Sequence, residues 1–594
     1  MAKKEGMRWN LDEILPAKKF DELWKEIEQD ISKYDFFLPK FSPEMDRDGF
    51  VAFMKFDEKI IEKLARLGGM PCLWESTDQK SQEAKLLKSK AEDLVLRFSN
   101  KTRKISLWLQ GKEIDGFVRL DDKNAERLFK TLPALQYGMM YSRKLARHTL
   151  LENEEKIITE KDMTGAGVLV DLRELIETEF CFKFKPKGKK EKIFNNAAEL
   201  LKHVYSKNAN EREAACNSLL EKYKENIDKF FMVYQAIVKD WRYDYERRGY
   251  ESAIQVRNIG NHVPDKAIEV LLDVCRTNRD VYQRYFRFKA KELGMKRLRR
   301  HDIYAPLKIA KDEKISYEES KKLVLSTFDE FSKGFGEKAR RIINDRHIDS
   351  HPRQNKRGGA FCLTLMPSIA PYVLLNYTHT ARDVSTMAHE LGHGIHSLYA
   401  AHLPMAAQHA NLPLSETAST FGEMVVFEKM LEKAKNDKVR KAMLSDKMAD
   451  SFATILRQAY FVMFEKKAHE AVRKGITAEQ LSGLYMEMLK EQFGDSVDIS
   501  PIYRYEWARI PHIVATPFYC YAYNFGELLS MALFARYKKE GVGFVPKIEK
   551  VLSYGGSEDP DKVLKEIGVD MCSREFWEGS FEIVRGWQEK LEQY

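Results

Sequence analysis

The sequence predicts a mainly α-helical protein, and three observations carry that expectation. Apolar residues recur at helical spacing along most of the chain, strand-like runs are few, and proline is sparse, 18 in 594 residues, with no low-complexity linker. Phe20, Leu23, Trp24, Ile27 and Ile31 set the pattern, because steps of three and four place them on one face of a helix. The same spacing marks residues 60–67, 214–234, 267–293 and 438–472. No period indicates a repeat array. The best strand is residues 372–377 (YVLLNY), a short apolar and aromatic run preceded by Pro367 and Pro371. Upstream, residues 356–361 (KRGGAF) read as a turn feeding another strand, so a small sheet is expected in this region. The lysine-rich stretch 185–195 marks a surface boundary. It divides an N-terminal helical region, residues 1–195, from a larger C-terminal region, residues 196–594.

Composition narrows the class. Hydrophobic residues are 44% and aromatics 11%, enough for a sizeable core. Charged residues reach 32%, above the roughly 25% of an average globular protein. Their alternation along the chain reads as solvated helix faces, a pattern that a thermophilic source would also give. The net charge of +9 comes from 99 basic and 90 acidic residues, a balance that gives no push toward a nucleic-acid partner. The basic clusters at 185–192 (KPKGKKEK) and 296–300 (KRLRR) read as solvent-facing, since neither has the interleaved aromatics of a single-strand binding surface. Seven cysteines, odd in number, far apart and never in a CxxC pair, argue against a disulfide scaffold and against a cysteine-rich metal site. The start, MAKKEGMRWNLDEILP, is basic but lacks an apolar core, so it does not read as a secretory signal. No apolar run reaches 18 residues, so no membrane partner is expected either. The expectation is a cytoplasmic protein.

Residues 383–393, DVSTMAHELGH, contain H-E-x-x-H. His389 and His393, at i and i+4, lie one turn apart on one helix face and can reach a single metal ion. Glu390 projects to the side, where it can contact water at that metal. Asp383 or Ser385 can cap the helix start. With 14 histidines in the chain, chance gives roughly 0.03 such matches at this length, so the motif is specific. Gly392 and Gly394 sit inside the same helix although each costs about 1 kcal/mol relative to Ala. Glycine there implies that something packs very close.

Two imidazoles leave a catalytic zinc short of ligands, because such a site takes three protein ligands and keeps one position open. Downstream, Ser415 reads as an N-cap, which places Glu416 in the first turn of a new helix with Glu423 seven residues on, along the same face. Glu416 is the expected third ligand, and Glu423 is expected to fix a ligand imidazole. His396, three residues after His393, reads as a packed or hydrogen-bonding histidine. Two imidazoles and a carboxylate favour one zinc ion over cobalt or manganese.

Three segments resemble the thimet oligopeptidase and oligoendopeptidase F family of zinc metallopeptidases, and more closely the oligoendopeptidase F branch. They are 371–396 (PYVLLNYTHTARDVSTMAHELGHGIH), 416–420 (ETAST) and 510–523 (IPHIVATPFYCYAY). Weaker likeness begins at Met7-Arg8-Trp9-Asn10-Leu11 and covers nearly the whole chain. The resemblance implies a two-lobed helical shell around a deep channel, with a small sheet beside the zinc-binding helix and the metal at the channel floor. It also implies short unfolded peptides as substrates. In the third segment it implies that His512 and Tyr523 line the site as donors to the oxyanion. Tyr519, four residues before Tyr523, is favoured over Tyr521 as the second tyrosine. His379 stands where the resemblance calls for a small residue.

The expected function is thus a zinc metalloendopeptidase in which Glu390 is the general base and residues 372–377 pair with the peptide backbone. Two alternatives stay open at this level. One is a helical H-E-x-x-H carboxypeptidase, in which Arg504 or Arg509 would hold the substrate's terminal carboxylate. The other is a non-enzymatic peptide-binding protein, against which the intact Glu390 argues.

Overall fold

The computed structural model describes residues 7–307 and 314–594. The basic start of the chain, residues 1–6, lies outside the described residues. The protein is mainly helical, as its periodicity predicts, and among the described residues its strands form one three-stranded and two two-stranded sheets. The expected first face forms helix Phe20–Ser32, with Phe20 and Ile27 buried. Longer periodic runs break into pieces. Residues 214–234 divide between Ala209–Glu225 and Ile227–Arg247, and residues 267–293 between Asp265–Thr277 and Asp280–Glu292. The apolar stripe continues onto the next helix across each break, so periodicity alone does not register it.

Two compact units interleave along the chain. The first comprises residues 1–147, 312–432 and 536–570; the second comprises 148–311, 433–535 and 571–594. Residue 195 falls inside the second unit. There the lysine-rich stretch turns a hairpin, Phe182–Phe184 paired antiparallel with Lys192–Phe194.

The first unit is built on the long helices Arg47–Thr77 and Gln82–Leu109, whose starts are capped by Asp46 and Ser81. Their apolar faces join Phe20, Tyr34, Trp108 and Phe129 in one core that reaches Ile369 and Tyr372. Beside that core lies the three-stranded sheet, β1 (Ile348–Asp349), β2 (Phe361–Leu363) and β3 (Tyr372–Leu374), in the order β1-β3-β2. The turn expected at 356–361 does feed a strand, β2, through Gly359 at φ +79°. β3 pairs parallel with β1 and antiparallel with β2. The chain start closes over this sheet: Trp9 Nε1 donates to the carbonyls of His347 and Val373, each at 3.0 Å, and Met7 O accepts from Ser350 N at 3.1 Å. Lys356 is buried below, 2.7 Å from Asp349 Oδ1, and donates to the His351 carbonyl at 2.9 Å. Burial pushes this ammonium down, and Asp349 opposes the shift.

In the second unit, helices Ile227–Arg247, Ala478–Phe493 and α3 (Arg457–Lys474) bury Tyr234, Phe464, Tyr485 and Trp507. The cluster 296–300 keeps its expected solvent-facing role at Lys296 and Arg297, which are exposed, but departs from it over the next three residues. Leu298 is buried, Arg300 is buried at 2.7 Å from Glu506, and Arg299 reaches Asp302 at 2.7 Å. Paired carboxylates are what make these burials tolerable.

Asp349→Ala should destabilise the protein by about 3–5 kcal/mol, because it leaves the Lys356 ammonium buried without its counter-charge. Denaturant unfolding should show part of that loss recovered in Asp349→Ala/Lys356→Met, where neither charge is buried.

Candidate metal centre

The helix that carries the motif, α1, spans Ala381–Tyr399 and packs on β2 and β3. Its cap differs from the expectation. Thr380 is the N-cap, its side chain accepting from Asp383 N, while Asp383 accepts from Thr380 N in return. Asp383 therefore closes a capping box from the third helical position, and Ser385 takes no part in it. Asp383 Oδ2 also accepts from Thr378 N at 2.9 Å, which ties the approach loop to the helix. His379, between them, has φ +71°. A residue without a β-carbon would adopt that conformation most cheaply, which is the physical content of the small residue expected there.

His389 and His393 face the same way, with ring centroids 4.9 Å apart. Their Nε2 atoms both lie 3.5 Å from Glu416 Oε2. The ligand atoms of these three residues all fall within 4.8 Å of one another. Two ligands about 2.1 Å from a tetrahedral ion sit about 3.4 Å apart, so this donor set fits one zinc ion. Glu416 does not lie in a helix that Ser415 caps. Ser415 ends the short helix Leu412–Ser415, and Glu416 is the junction residue whose carbonyl accepts from Thr420 N at the start of α2 (Thr417–Lys433).

Glycine explains how the two elements come so near. A β-carbon on Gly392 would stand 2.5 Å from Ser419 Cα and 2.6 Å from the Ala418 carbonyl oxygen, which are backbone atoms unable to yield. The start of α2 thus lies directly on α1 at the turn between the two histidines, as the glycines predict. Gly394 faces the flexible tip of Ile342 instead, at 2.5 Å.

Carboxylates surround the imidazoles. Glu423 Oε2 lies 3.5 Å from His389 Nδ1, the nitrogen on the far side of the ring from Glu416. Burial pushes the His389 imidazole down, but Glu423, Glu416 and Glu390 outweigh it and hold it up at about 9. The locus therefore favours positive charge. Ser419 Oγ donates to Glu416 Oε2 at 2.8 Å, fixing the same carboxylate oxygen that faces the two imidazoles. Sequence reasoning passed over Ser419; its place three residues after the ligand, facing back on the first turn of α2, was the available signal.

Glu390 is buried beside the pair. Burial pushes its carboxyl up to about 7, with His389 pulling it down and Glu416 adding to the rise. It opens with His393 onto a cavity of about 400 Å³ walled by Phe361, Cys362, His396 and Gln408. β2 forms one wall. β3 is the middle strand, with β1 and β2 on its two edges, so the expected pairing of residues 372–377 with a peptide has no free edge to use. His396 is buried, its Nε2 has no hydrogen-bond partner, and burial together with His393 pushes it down to about 3. It lies outside the three-residue group, as expected.

The remaining predicted residues lie in the second unit. His512 begins the short helix His512–Ala515, and Tyr523 lies in helix Tyr521–Glu540. Tyr523 OH is 3.2 Å from His512 Nε2. The Tyr519 ring lies parallel to His512, centroids 6.2 Å apart, and edge-on to Tyr523 at 5.4 Å. Tyr521 turns away and is buried, its hydroxyl accepting from Asn261 Nδ2 at 2.8 Å. Burial, with Arg173, pushes the His512 imidazole down, so it is neutral near pH 7. Burial and Tyr519 push the Tyr523 phenol up, so it keeps its proton.

A helical protein with a His-His-Glu group next to a buried carboxyl defines the class of metallopeptidases. The peptidase family M3 profile matches residues 202–583. The oligoendopeptidase F homolog of Lactococcus lactis subsp. lactis (strain IL1403) is 28% identical over 99% of this chain and 97% of its own. Oligopeptidase PepF of Bacillus subtilis (strain 168) is 24% identical over 98% of this chain and 86% of its own. Among solved structures, oligoendopeptidase-F from Enterococcus faecium aligns with a TM-score of 0.67 at 21% identity, covering 97% of this chain and 98% of its own. The chain belongs to peptidase family M3, on its oligoendopeptidase F branch.

Gly392→Ala should lower both thermal stability and zinc affinity, since its β-carbon pushes Ser419, and with it Glu416, off the histidines. Gly138→Ala, where no atom lies within 4 Å of the added carbon, is the control and should lower neither. Glu423→Gln should weaken zinc binding by about 10–100-fold in a competitive chelator titration.

Proposed function

We propose that this protein is a zinc-dependent endopeptidase that hydrolyses internal bonds of short unfolded peptides, with Glu390 as general base. The observation that carries the reading is that Glu390, buried and in electrostatic reach of His389 and Glu416, lines a cavity shared with His393, while His389, His393 and Glu416 bring three donor atoms together. Bound by His389, His393 and Glu416, a zinc ion would supply Lewis acidity, acidifying a coordinated water toward neutrality and polarising the scissile carbonyl.

Glu390 accepts the proton of the attacking water on a carboxylate oxygen. It returns that proton to the departing amine nitrogen, so one group serves as base and then acid. Glu423 orients the His389 ring through Nδ1, and Ser419 orients Glu416. His512 and Tyr523 are the proposed donors to the oxyanion, with Tyr519 packed against them. The family resemblance of residues 510–523 and the hydrogen bond between His512 and Tyr523 support that assignment. The substrate backbone would add to β2, which has a single neighbour in its sheet and lines the cavity. Pairing through the backbone carries little side-chain preference, which suits selection by length. The names of the relatives, oligoendopeptidase F and oligopeptidase PepF, support short peptides as the substrate class. Arg504, one of the arginines considered for a carboxypeptidase, lies 3.7 Å from Glu479. All seven cysteines are free, which favours the cytoplasm as its compartment. No described helix is long and apolar enough to cross a membrane.

Mass spectrometry of peptides of graded length tests the reading. Wild type should cut internal bonds, with the rate fading for long or folded substrates. Glu390→Gln should lose about 10²–10⁴-fold in kcat while keeping its zinc. Release of single C-terminal residues would replace the endopeptidase with the carboxypeptidase. Chelation should abolish cleavage and stoichiometric zinc should restore it. His512→Ala and Tyr523→Phe should each cost about 10²–10³-fold in kcat if they bind the oxyanion.

A further inference from the structure

We propose that Arg257 and Glu465 are positioning residues that clamp one peptide group and thereby set Tyr519 and Tyr523 against His512. The inference rests on the proposed role of Tyr523 and adds the device that places it.

Between His512 and Tyr523 the chain makes a tight passage. Thr516 N donates to the His512 carbonyl at 2.8 Å, and Tyr519 N to the Thr516 carbonyl at 3.1 Å. At its centre Phe518 has φ +59° while its side chain is buried. A bulky residue in the left-handed region is a strained outlier that persists only where the surroundings over-determine it. Here the surroundings are specific. The Pro517 carbonyl accepts from Arg257 Nε at 3.2 Å and Nη2 at 3.1 Å. The Phe518 N–H, the other end of the same peptide group, donates to Glu465 Oε1 at 2.9 Å. One planar unit is therefore held at both ends by side chains from two elements, helix Gln255–Gly260 and α3.

The clamp has further grip. The Arg257 guanidinium also sits over the Tyr519 ring, 5.9 Å from its centroid, so it faces the tyrosine that follows the peptide group it holds. Phe518 itself packs on His469, with centroids 4.7 Å apart. Glu465 is fully buried, and its second oxygen has no hydrogen-bond partner. A buried carboxyl is costly to keep, and the apolar alternative at this position of α3 would leave the Phe518 N–H without its acceptor. Turning the 517–518 peptide plane would rotate the whole segment 519–523 relative to His512. The three-ring arrangement and the 3.2 Å contact of Tyr523 OH with His512 Nε2 would go with it.

The variants are Arg257→Ala, Glu465→Leu and the conservative Glu465→Gln, whose amide oxygen still accepts from the Phe518 N–H. Two readouts are used on the zinc-loaded enzyme. The first is the NMR resonance of the His512 ring, assigned with His512→Gln, which reports the neighbouring tyrosine rings whether or not they take part in catalysis. The second is kcat and KM on an internally quenched peptide, alone and combined with Tyr523→Phe. Arg257→Ala and Glu465→Leu should shift the His512 resonance and lower kcat by about 10–100-fold, less than loss of the whole donor, with KM and zinc content little changed. Glu465→Gln should recover most of kcat. In the Tyr523→Phe background the further loss should shrink to less than about 3-fold. An unmoved His512 resonance in both disruptive variants overturns the clamp, whatever happens to kcat. Losses that multiply with Tyr523→Phe also overturn it, because the residues then do not act through that tyrosine. A shifted resonance combined with a Tyr523→Phe enzyme of full kcat leaves the clamp standing and refutes the oxyanion role of Tyr523.

Discussion

The metal centre depends on the contact of two backbones at Gly392. Metal ligands about 2 Å from one ion need their donor atoms within a few ångströms, and a glutamate at the very start of α2 has little reach to spare. Only where the β-carbon is missing do Ala418 and Ser419 lie directly on α1. The helix tolerates a poor helix former at this place because packing against the core and sheet sustains it. The capping box at Thr380 and Asp383, the sheet beneath α1 and the anchored chain start all act to hold α1 where that contact can form.

The charge pattern has its own logic. Glu416, Glu423 and Glu390 would repel one another if left bare; Glu416 and Glu423 are instead set against imidazole nitrogens, and the His389 charge acts on Glu390. His389 is the hinge of that pattern, with Glu416 on one nitrogen and Glu423 on the other. The same arrangement that holds a proton on His389 when no cation is near is one that a divalent ion satisfies better, because it meets both imidazoles and Glu416 together. In the second unit the problem is the reverse. Burial and Arg173 push the His512 imidazole down, and partial burial and Tyr519 push the Tyr523 phenol up, which leaves both groups uncharged. The chain that joins them has one peptide group, between Pro517 and Phe518, held by a guanidinium and a buried carboxyl.

Much of this was legible in the chain itself. The helical class followed from periodicity and scarce proline, and the His-His pair from spacing on one helix face. The close approach followed from two glycines in an unfavourable place. What was misread shares a cause. Ser415 and Ser385 read as caps from residue type, but a cap depends on where each helix begins, and Thr380, with Asp383 closing the capping box, and Glu416 decide that through backbone geometry. Residues 372–377 were recognised as a strand, yet their sequence is silent on sheet order. Arg300 looked like surface because its partner, Glu506, lies 206 residues away.

By itself, then, the sequence determined local matters: which segments are helical, which helix face carries both histidines, which carboxyl follows the first histidine, and where backbone has to come near. These depend on neighbours within a turn or two. The tertiary structure alone decided the rest. It put β3 in the middle of its sheet and β2 on the cavity wall, and it bonded Ser419 to the Glu416 carboxylate. It turned Tyr521 into the core and left Tyr519 and Tyr523 with His512. It also brought Arg257 and Glu465, 208 residues apart in sequence, onto one peptide group. The physical reason is that each of these outcomes is set by long-range packing and by hydrogen bonds to backbone atoms. Such partners are chemically alike at every residue and leave no mark of their own in the sequence.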